Sequence, residues 1–245
     1  LTPDAAVIVC SIRALKAHSG KFTVVAGKPL DEGLLQENIP AIEEGICNLA
    51  KHIENIRQFG VPIVVAVNRF DADTDREVEF VKKMAIKLGA DGCEISEVWK
   101  YGGKGGEALA LSVVNAAARP SNFKFLYSLE LPIKEKIRII ATKIYGAKDV
   151  EFTPLAEEKI LRYTECGWNN LPICMAKTHL SLSGDQNLKG RPENFILPVR
   201  DIRASVGAGF LYPLCGQMKT MPGLPTHPAG EHIDIDAQGN IIGLS

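Results

Sequence analysis

The sequence predicts an α/β fold with a mainly parallel sheet and helices on both faces, and three observations indicate it. Short apolar runs, AAVIVCS (5–11) and VPIVVAVN (61–68), are typical of parallel strands that are buried on both faces. Amphipathic helical patterns separate these runs. Strand-like and helical segments therefore alternate along the first part of the chain, as they do in folds built around a parallel sheet.

The individual elements of this first part follow from periodicity and capping residues. Isoleucine and leucine recur at steps of three and four over 39–56, which places them on one face of a helix, and Asn38 is a suitable N-cap. A second helix is predicted to begin after Asp73 or Thr74. The short strand GCEIS (92–96) then leads to a glycine-rich loop that opens a third helix.

The character of the sequence changes near residue 120, which divides the chain into an α/β domain (1–120) and a smaller α+β domain (121–245). Helices are predicted over 132–145 and 154–164, and strands over 173–177, 195–205, 209–216 and 232–243, the last with a tight turn at 238–240.

Composition argues against several classes of function, among them DNA binding and membrane spanning. Lys plus Arg total 28 against 29 for Asp plus Glu, a balance that argues against duplex DNA or another mainly electrostatic partner. No apolar run approaches the roughly 20 residues that cross a bilayer. The six cysteines lack CxxC or Cys/His spacing, which predicts reduced, mostly buried thiols in the cytoplasm and no metal site. The opening LTPDAAVIVC, without methionine, indicates a piece of a longer protein.

Two aromatic residues mark the edge where ligands of parallel sheets bind, outside the carboxyl ends of the strands. Phe70 follows one strand within NRFD (68–71), and Trp99 follows the next. Facing rings would form a slot for a flat heterocycle. The alternative is that both residues pack under loops. NRFD also resembles the base-reading Asn-Lys-x-Asp turn of GTP-binding proteins, although its lysine is missing.

Two further segments have both a functional and a structural interpretation. Glycines in YGGKGGE (101–107) could let the backbone and a helix N-terminus approach an anion, or could simply form a flexible loop. Basic residues in SIRALKAHSG (11–20) could recognise phosphate or carboxylate, or form a solvated helix face. Lys177 and His179 have the same two interpretations, and His52 is expected to be structural or on the surface.

Several segments together resemble one family, the formate–tetrahydrofolate ligases. VCSIRALKAHSG is similar to the family signature V-A-T/S-I/V-R-A/S-L-K-x-H/N-G-G, with departures at Cys10 and Ser19. The other similar segments, in the family's order, include KHIENIRQFGVPIVVAVNRF, SEVWKYGGKGGEAL, RPSNFKFLYSLELPIKEKI, LPICMAKTHLSLS and IDIDAQGNIIGL. The resemblance covers essentially the whole chain.

This resemblance implies ATP-dependent formylation of tetrahydrofolate to 10-formyltetrahydrofolate through formyl phosphate. Its phosphate loop, ending in Gly-Lys-Thr-Thr, precedes the matched segment, so this chain is expected to be the end of a P-loop NTPase-like domain plus a C-terminal domain, inactive alone. Implied ligands and partners are tetrahydrofolate, formate, ATP with Mg bound mainly outside this chain, a monovalent cation, the N-terminal portion and further copies in a homo-oligomer. A eukaryotic member could reside in the mitochondrial matrix.

The resemblance also assigns roles to residues. The pterin ring is expected between Phe70 and Trp99 on an apolar floor at Ile95. Further implied residues are Asn68 and Asp71 at the pterin amide edge, Gly102, Gly103, Lys104, Gly105 and Gly106 near a nucleotide or anion, and Arg13 and His18 in catalysis. The alternatives left open are a purine-nucleotide-binding module and a catalytically inactive scaffold fragment.

Overall fold

The computed structural model describes residues 2–24, 29–216, 226–239 and 241–243. Its first sheet has three strands in the order β1–β2–β3, all parallel, which confirms the predicted parallel sheet. The elements of this part are β1 (Ala6–Cys10), α1 (Ile12–His18), α2 (Glu32–Leu35), α3 (Ile39–Arg57), β2 (Ile63–Asn68), α4 (Asp75–Lys87), β3 (Gly92–Ser96), α5 (Val98–Tyr101), a 3₁₀ turn (Gly102–Gly106) and α6 (Glu107–Ala117).

Local hydrogen bonds explain where the two central helices begin. The Asn38 side chain accepts a hydrogen bond from the backbone N–H of Ala41 and caps α3, as predicted. Thr74, rather than Asp73, caps α4. It forms a capping box with Glu77, in which each side chain bonds the other residue's backbone N–H. These caps fix the start of α4 directly after the turn that follows β2.

The first hydrophobic core lies between this sheet and helices α1, α3 and α4. Strand β2 is central, and its residues Ile63–Val67 are buried. Ile42, Leu49 and Ile53 of α3 pack in the same cluster, so the predicted isoleucine stripe does face the core. Helix α6 also packs against β3 and β2.

A second sheet, in the order β4–β5–β6, packs against a second hydrophobic core. Strands β4 and β5 are parallel, whereas β5 and β6 are antiparallel. The elements of this part are α7 (Ile133–Ile139), a π-helical segment (Ile140–Tyr145), β4 (Asp149–Phe152), α8 (Pro154–Glu165), β5 (Ile196–Ser205), β6 (Phe210–Cys215), β7 (Asp234–Ile235) and β8 (Ile241–Ile242), with short 3₁₀ turns at Val206–Ala208 and Ala229–Glu231.

Two predictions for this part need correction. The predicted strand over 173–177 is wrong: it makes only isolated bridges, Ile173 with Leu211 and Ala176 with Leu214. The helix predicted over 132–145 is α-helical only to Ile139 and then winds as a π-helix. The predicted C-terminal hairpin is present as antiparallel β7 and β8, and residue 240 of its turn lies outside the described residues.

The cysteines are less buried than the sequence suggested. All six are free thiols; Cys10, Cys93 and Cys215 are buried, whereas Cys166 and Cys174 are exposed. Within the described residues, no helix is long and apolar enough to cross a membrane.

Candidate functional site

The candidate site lies at the carboxyl ends of β2 and β3. These strands end in register, with Asn68 beside Ser96. Phe70 and Trp99 follow shortly after these ends, and their ring centroids are 6.3 Å apart with an interplanar angle of 26°. The fold therefore brings together the two aromatic residues that the sequence singled out, on the edge where ligands of parallel sheets bind.

Hydrogen bonds hold the turn that carries Phe70 and the indole of Trp99. The N–H of Phe70 donates to Asp73 Oδ2 at 2.8 Å, and the N–H of Asp73 donates to the Phe70 carbonyl at 3.0 Å. Burial raises the pKa of Asp73, and the Phe70 N–H opposes that rise. Trp99 Nε1 donates to the Arg69 carbonyl at 2.9 Å, so the indole is tied to the turn that carries Phe70.

The two rings are close enough to contact each other. Aromatic pairs in contact have ring centroids about 4.5–7 Å apart, and the 6.3 Å between Phe70 and Trp99 lies within that range. A third ring stacked between two faces needs about 7 Å between them, because each stacked contact is about 3.5 Å, so the rings must move apart to admit it. Trp99 is 53% exposed, so one wall of the slot faces solvent and can be reached by a ligand.

Arg13 contacts the slot directly, which sequence reasoning did not foresee. Its Cζ lies 4.5 Å from the centre of the Phe70 ring, a cation–π distance. The sequence only indicated that Arg13 follows β1; its position over a ring 57 residues later depends on β1 and β2 being neighbours. The slot therefore has a guanidinium beside its phenylalanine wall.

His18 lies farther along α1, in a cavity that Phe70 also lines. Its Nδ1 accepts a hydrogen bond from the N–H of Gly190 at 3.1 Å. Burial, together with Lys189 and His52, lowers the pKa of His18 to about 4. The imidazole is therefore neutral at pH 7 with its proton on Nε2, so it can donate a hydrogen bond.

The other three residues predicted to contact the pterin, Asn68, Asp71 and Ile95, have different surroundings. Asn68 lines the same cavity as Phe70. Asp71 is exposed and pairs with Lys100, whose Nζ is 2.6 Å from Asp71 Oδ1. Ile95 packs against the first hydrophobic core, beneath the strand ends.

Comparisons with known proteins identify the family of this chain. The family model described as formate–tetrahydrofolate ligase matches residues 1–245. The chain belongs to the formate–tetrahydrofolate ligase family. It is 54% identical over 244 residues to the formate–tetrahydrofolate ligase of Desulforamulus reducens, which covers 100% of this chain and 43% of that protein.

Eukaryotic proteins are also similar to this chain. The human cytoplasmic C-1-tetrahydrofolate synthase is 54% identical over 238 residues, 97% of this chain and 26% of that protein. The mitochondrial monofunctional C1-tetrahydrofolate synthase of Bos taurus is 52% identical over 238 residues, 97% of this chain and 24% of that protein. The chain therefore spans less than half the length of these relatives.

Among the other residues that family resemblance suggested, the glycines form a 3₁₀ turn between α5 and α6. A Cβ at Gly105 would lie 2.4 Å from the Glu97 carbonyl oxygen, and the Glu97 N–H donates to the Gly105 carbonyl at 3.0 Å. Gly102 has a φ of 57°, which favours glycine. The close packing against Glu97 therefore explains why position 105 is a glycine. The neighbouring Lys104 is exposed.

The predicted basic face of α1 is partly wrong. Lys16 is completely buried, with Nζ 2.7 Å from Glu77 Oε1. Lys16 also donates to the Leu34 and Gln36 carbonyls, at 3.3 and 2.7 Å. This lysine therefore stabilises the fold under the site and does not face a ligand. Among the described residues, no group of three or more His, Cys, Asp or Glu side chains could hold a metal ion.

Proposed function

We propose that this chain is the folate-binding part of a formate–tetrahydrofolate ligase and that it holds the pterin between Phe70 and Trp99. The observation that carries this proposal is the near-parallel ring pair at the carboxyl ends of β2 and β3, 6.3 Å apart. Stacking on two faces suits a flat, polar heterocycle, because the ring faces provide area while its edges stay free for hydrogen bonds. Asn68 and Asp71 supply such edge contacts.

The reaction proposed for the whole protein is the ATP-dependent formylation of tetrahydrofolate through formyl phosphate. None of the Gly-Lys pairs in this sequence is followed by Ser or Thr, so the phosphate-binding loop lies outside it. ATP, its Mg and a monovalent cation would therefore be bound mainly by another portion of the protein. Arg13 and His18 are the local candidates for stabilising transferring charge. We also propose that the whole protein forms a homo-oligomer and resides in the cytoplasm or the mitochondrial matrix.

Calorimetric titration of the purified chain with tetrahydrofolate tests the slot. Trp99→Ala and Phe70→Ala are each expected to weaken binding about tenfold or more, because each removes a stacking partner and its apolar area. Tyr101→Ala is the matched control, since this exposed aromatic lies two residues from Trp99. An unchanged Kd in Trp99→Ala would contradict the slot.

Two titrations separate the alternatives. A purine-nucleotide module would bind ATP or GTP at the slot, and the nucleotide would compete with tetrahydrofolate. We expect no such competition, because NRFD lacks the lysine of the base-reading turn. We also expect no formate-dependent release of ADP from this chain alone; detectable ADP release would contradict the assignment of the phosphate loop to another portion.

A further inference from the structure

Two neighbouring cavities begin at the phenylalanine wall of the aromatic slot. Phe70 lines a cavity of about 260 Å³ whose walls include His18, Asn48 and His52. The same three residues line a neighbouring cavity of about 280 Å³, which continues to Lys177. The two cavities therefore meet at α1 and α3, and together they lead from the phenylalanine wall of the slot toward the second half of the chain.

The second of these, which we call the basic cavity, is lined by hydrogen-bond donors. Its polar lining includes His18, His52, Tyr145, Lys177 and His179, and none of the described residues that line it is acidic. Burial raises the pKa of Tyr145 to about 12, so its hydroxyl keeps its proton at neutral pH. No carboxylate among the described lining residues is therefore available to accept hydrogen bonds from these donors.

Lys177 is held in place at the wall of this cavity. Its Nζ donates to the carbonyls of Thr178, at 2.9 Å, and Ser181, which uses two of its three protons. The ammonium also lies 4.9 Å from the centre of the Tyr145 ring. Packing and backbone carbonyls therefore orient the lysine without neutralising it by a carboxylate.

Lysines provide the positive charge around the basic cavity. Burial is the main cause that lowers the pKa of His18 and of His52. The other groups that add to this pKa shift are Lys189 and His52 for His18, and Lys177 and Lys51 for His52. Burial also lowers the pKa of Lys177 to about 8. A bound oxyanion would relieve this repulsion.

We propose that the basic cavity binds the glutamyl carboxylate of the folate whose pterin stacks between Phe70 and Trp99. The inference rests on the proposed function. The basic cavity shares the walls His18, Asn48 and His52 with the cavity that Phe70 lines. Folate has an anionic end opposite its pterin, so one ligand can extend from the slot through the first cavity into the second. The ammonium of Lys177 and the N–H of His52 would donate to the carboxylate oxygens.

The test compares tetrahydrofolate with tetrahydropteroate, which has the same pterin but no glutamate. By calorimetry, the unmodified protein is expected to bind tetrahydrofolate about tenfold more tightly, a typical gain for a charge-assisted hydrogen bond. Lys177→Gln should reduce this ratio to near one and leave the Kd of tetrahydropteroate unchanged. His52→Gln is a second variant that keeps the Lys177 contacts, and exposed Lys87→Gln, at the end of α4, is the control.

Equal Kd values for the two compounds in the unmodified protein would overturn the proposal, as would a tenfold ratio that persists in both variants. Inorganic phosphate serves as a separate probe: if it shifts the ring signals of His18 and His52 in NMR spectra while the two folates bind equally, the cavity takes phosphate and the carboxylate assignment is wrong. Failure of the proposed function looks different, because neither compound would then bind.

Discussion

Each of the two hydrophobic cores buries a lysine completely, but the two lysines have different partners. Lys16 in the first core pairs with the carboxylate of Glu77, whose oxygens also accept the N–H groups of Asn38 and Thr74. Among the described residues, Lys136 in the second core donates to backbone carbonyls alone, those of residues 129, 169 and 171. The first core therefore neutralises its buried charge, whereas the second solvates it with peptide dipoles.

This difference matters for function because each lysine fixes a segment that leads to a candidate site. The Lys16–Glu77 pair holds Thr74, which ends the turn that carries Phe70. Lys136 holds the chain at 169–171, just before the segment that reaches Lys177 of the basic cavity. Changing each lysine separately tests how charge pairing and carbonyl solvation differ in strength.

The largest effect is expected for Lys16→Met. It leaves the buried carboxylate of Glu77 without its cation, and removing one partner of a buried pair costs about 3–5 kcal/mol of the free energy of unfolding. Urea denaturation measures this loss. Lys21→Met is the matched control, because its pair with Glu44 is half exposed and should cost less than about 1 kcal/mol. Equal losses in the two variants would show that the Lys16 pair contributes no special stability.

A smaller loss is expected for Lys136→Met. No carboxylate is left behind; the carbonyls lose a donor, which costs about 1–3 kcal/mol, and burial of the methionine offsets part of that loss. The same urea titration measures it. Lys134→Met, which removes a partly exposed partner of Glu157, is the control. A loss as large as that of Lys16→Met would mean that charge pairing does not distinguish the two cores.

The sequence predicted the local features of both regions but not these long-range partners. Periodicity and capping preferences placed α3 and its cap at Asn38, because those signals come from neighbouring residues. The Lys16–Glu77 pair and the contact of Arg13 with Phe70 join residues that only the strand order brings together. Within the site, the positions of the two aromatic residues followed from strand ends, whereas their pterin role came from family resemblance and still stands as a proposal.

The helix caps of the two regions offer a finer comparison. Thr74 caps α4 and Thr153 caps α8, and each Oγ1 accepts a backbone N–H at 3.3 Å. Replacing either threonine by alanine should cost about 1 kcal/mol. Only Thr74→Ala is also expected to weaken tetrahydrofolate binding a few-fold, because Thr74 ends the turn that carries Phe70. Calorimetry with both variants checks this; an equal weakening in Thr153→Ala would contradict a local effect on the slot.

The smallest effect is the response of Lys136 to alkaline pH. Burial lowers the pKa of Lys136 below its ordinary value of 10.5, so the folded protein releases this proton before the unfolded chain does. Between these two pKa values the unfolded state binds more protons, and the free energy of unfolding should rise with pH, reaching its full gain above 10.5. The test is the difference between urea titrations of the unmodified protein and Lys136→Met from pH 8 to 11: the unmodified protein should gain stability relative to the variant. A difference that stays constant over this range would mean that the carbonyls of 129, 169 and 171 hold the lysine charged as well as water does, and that dipoles alone can replace the carboxylate used in the first core.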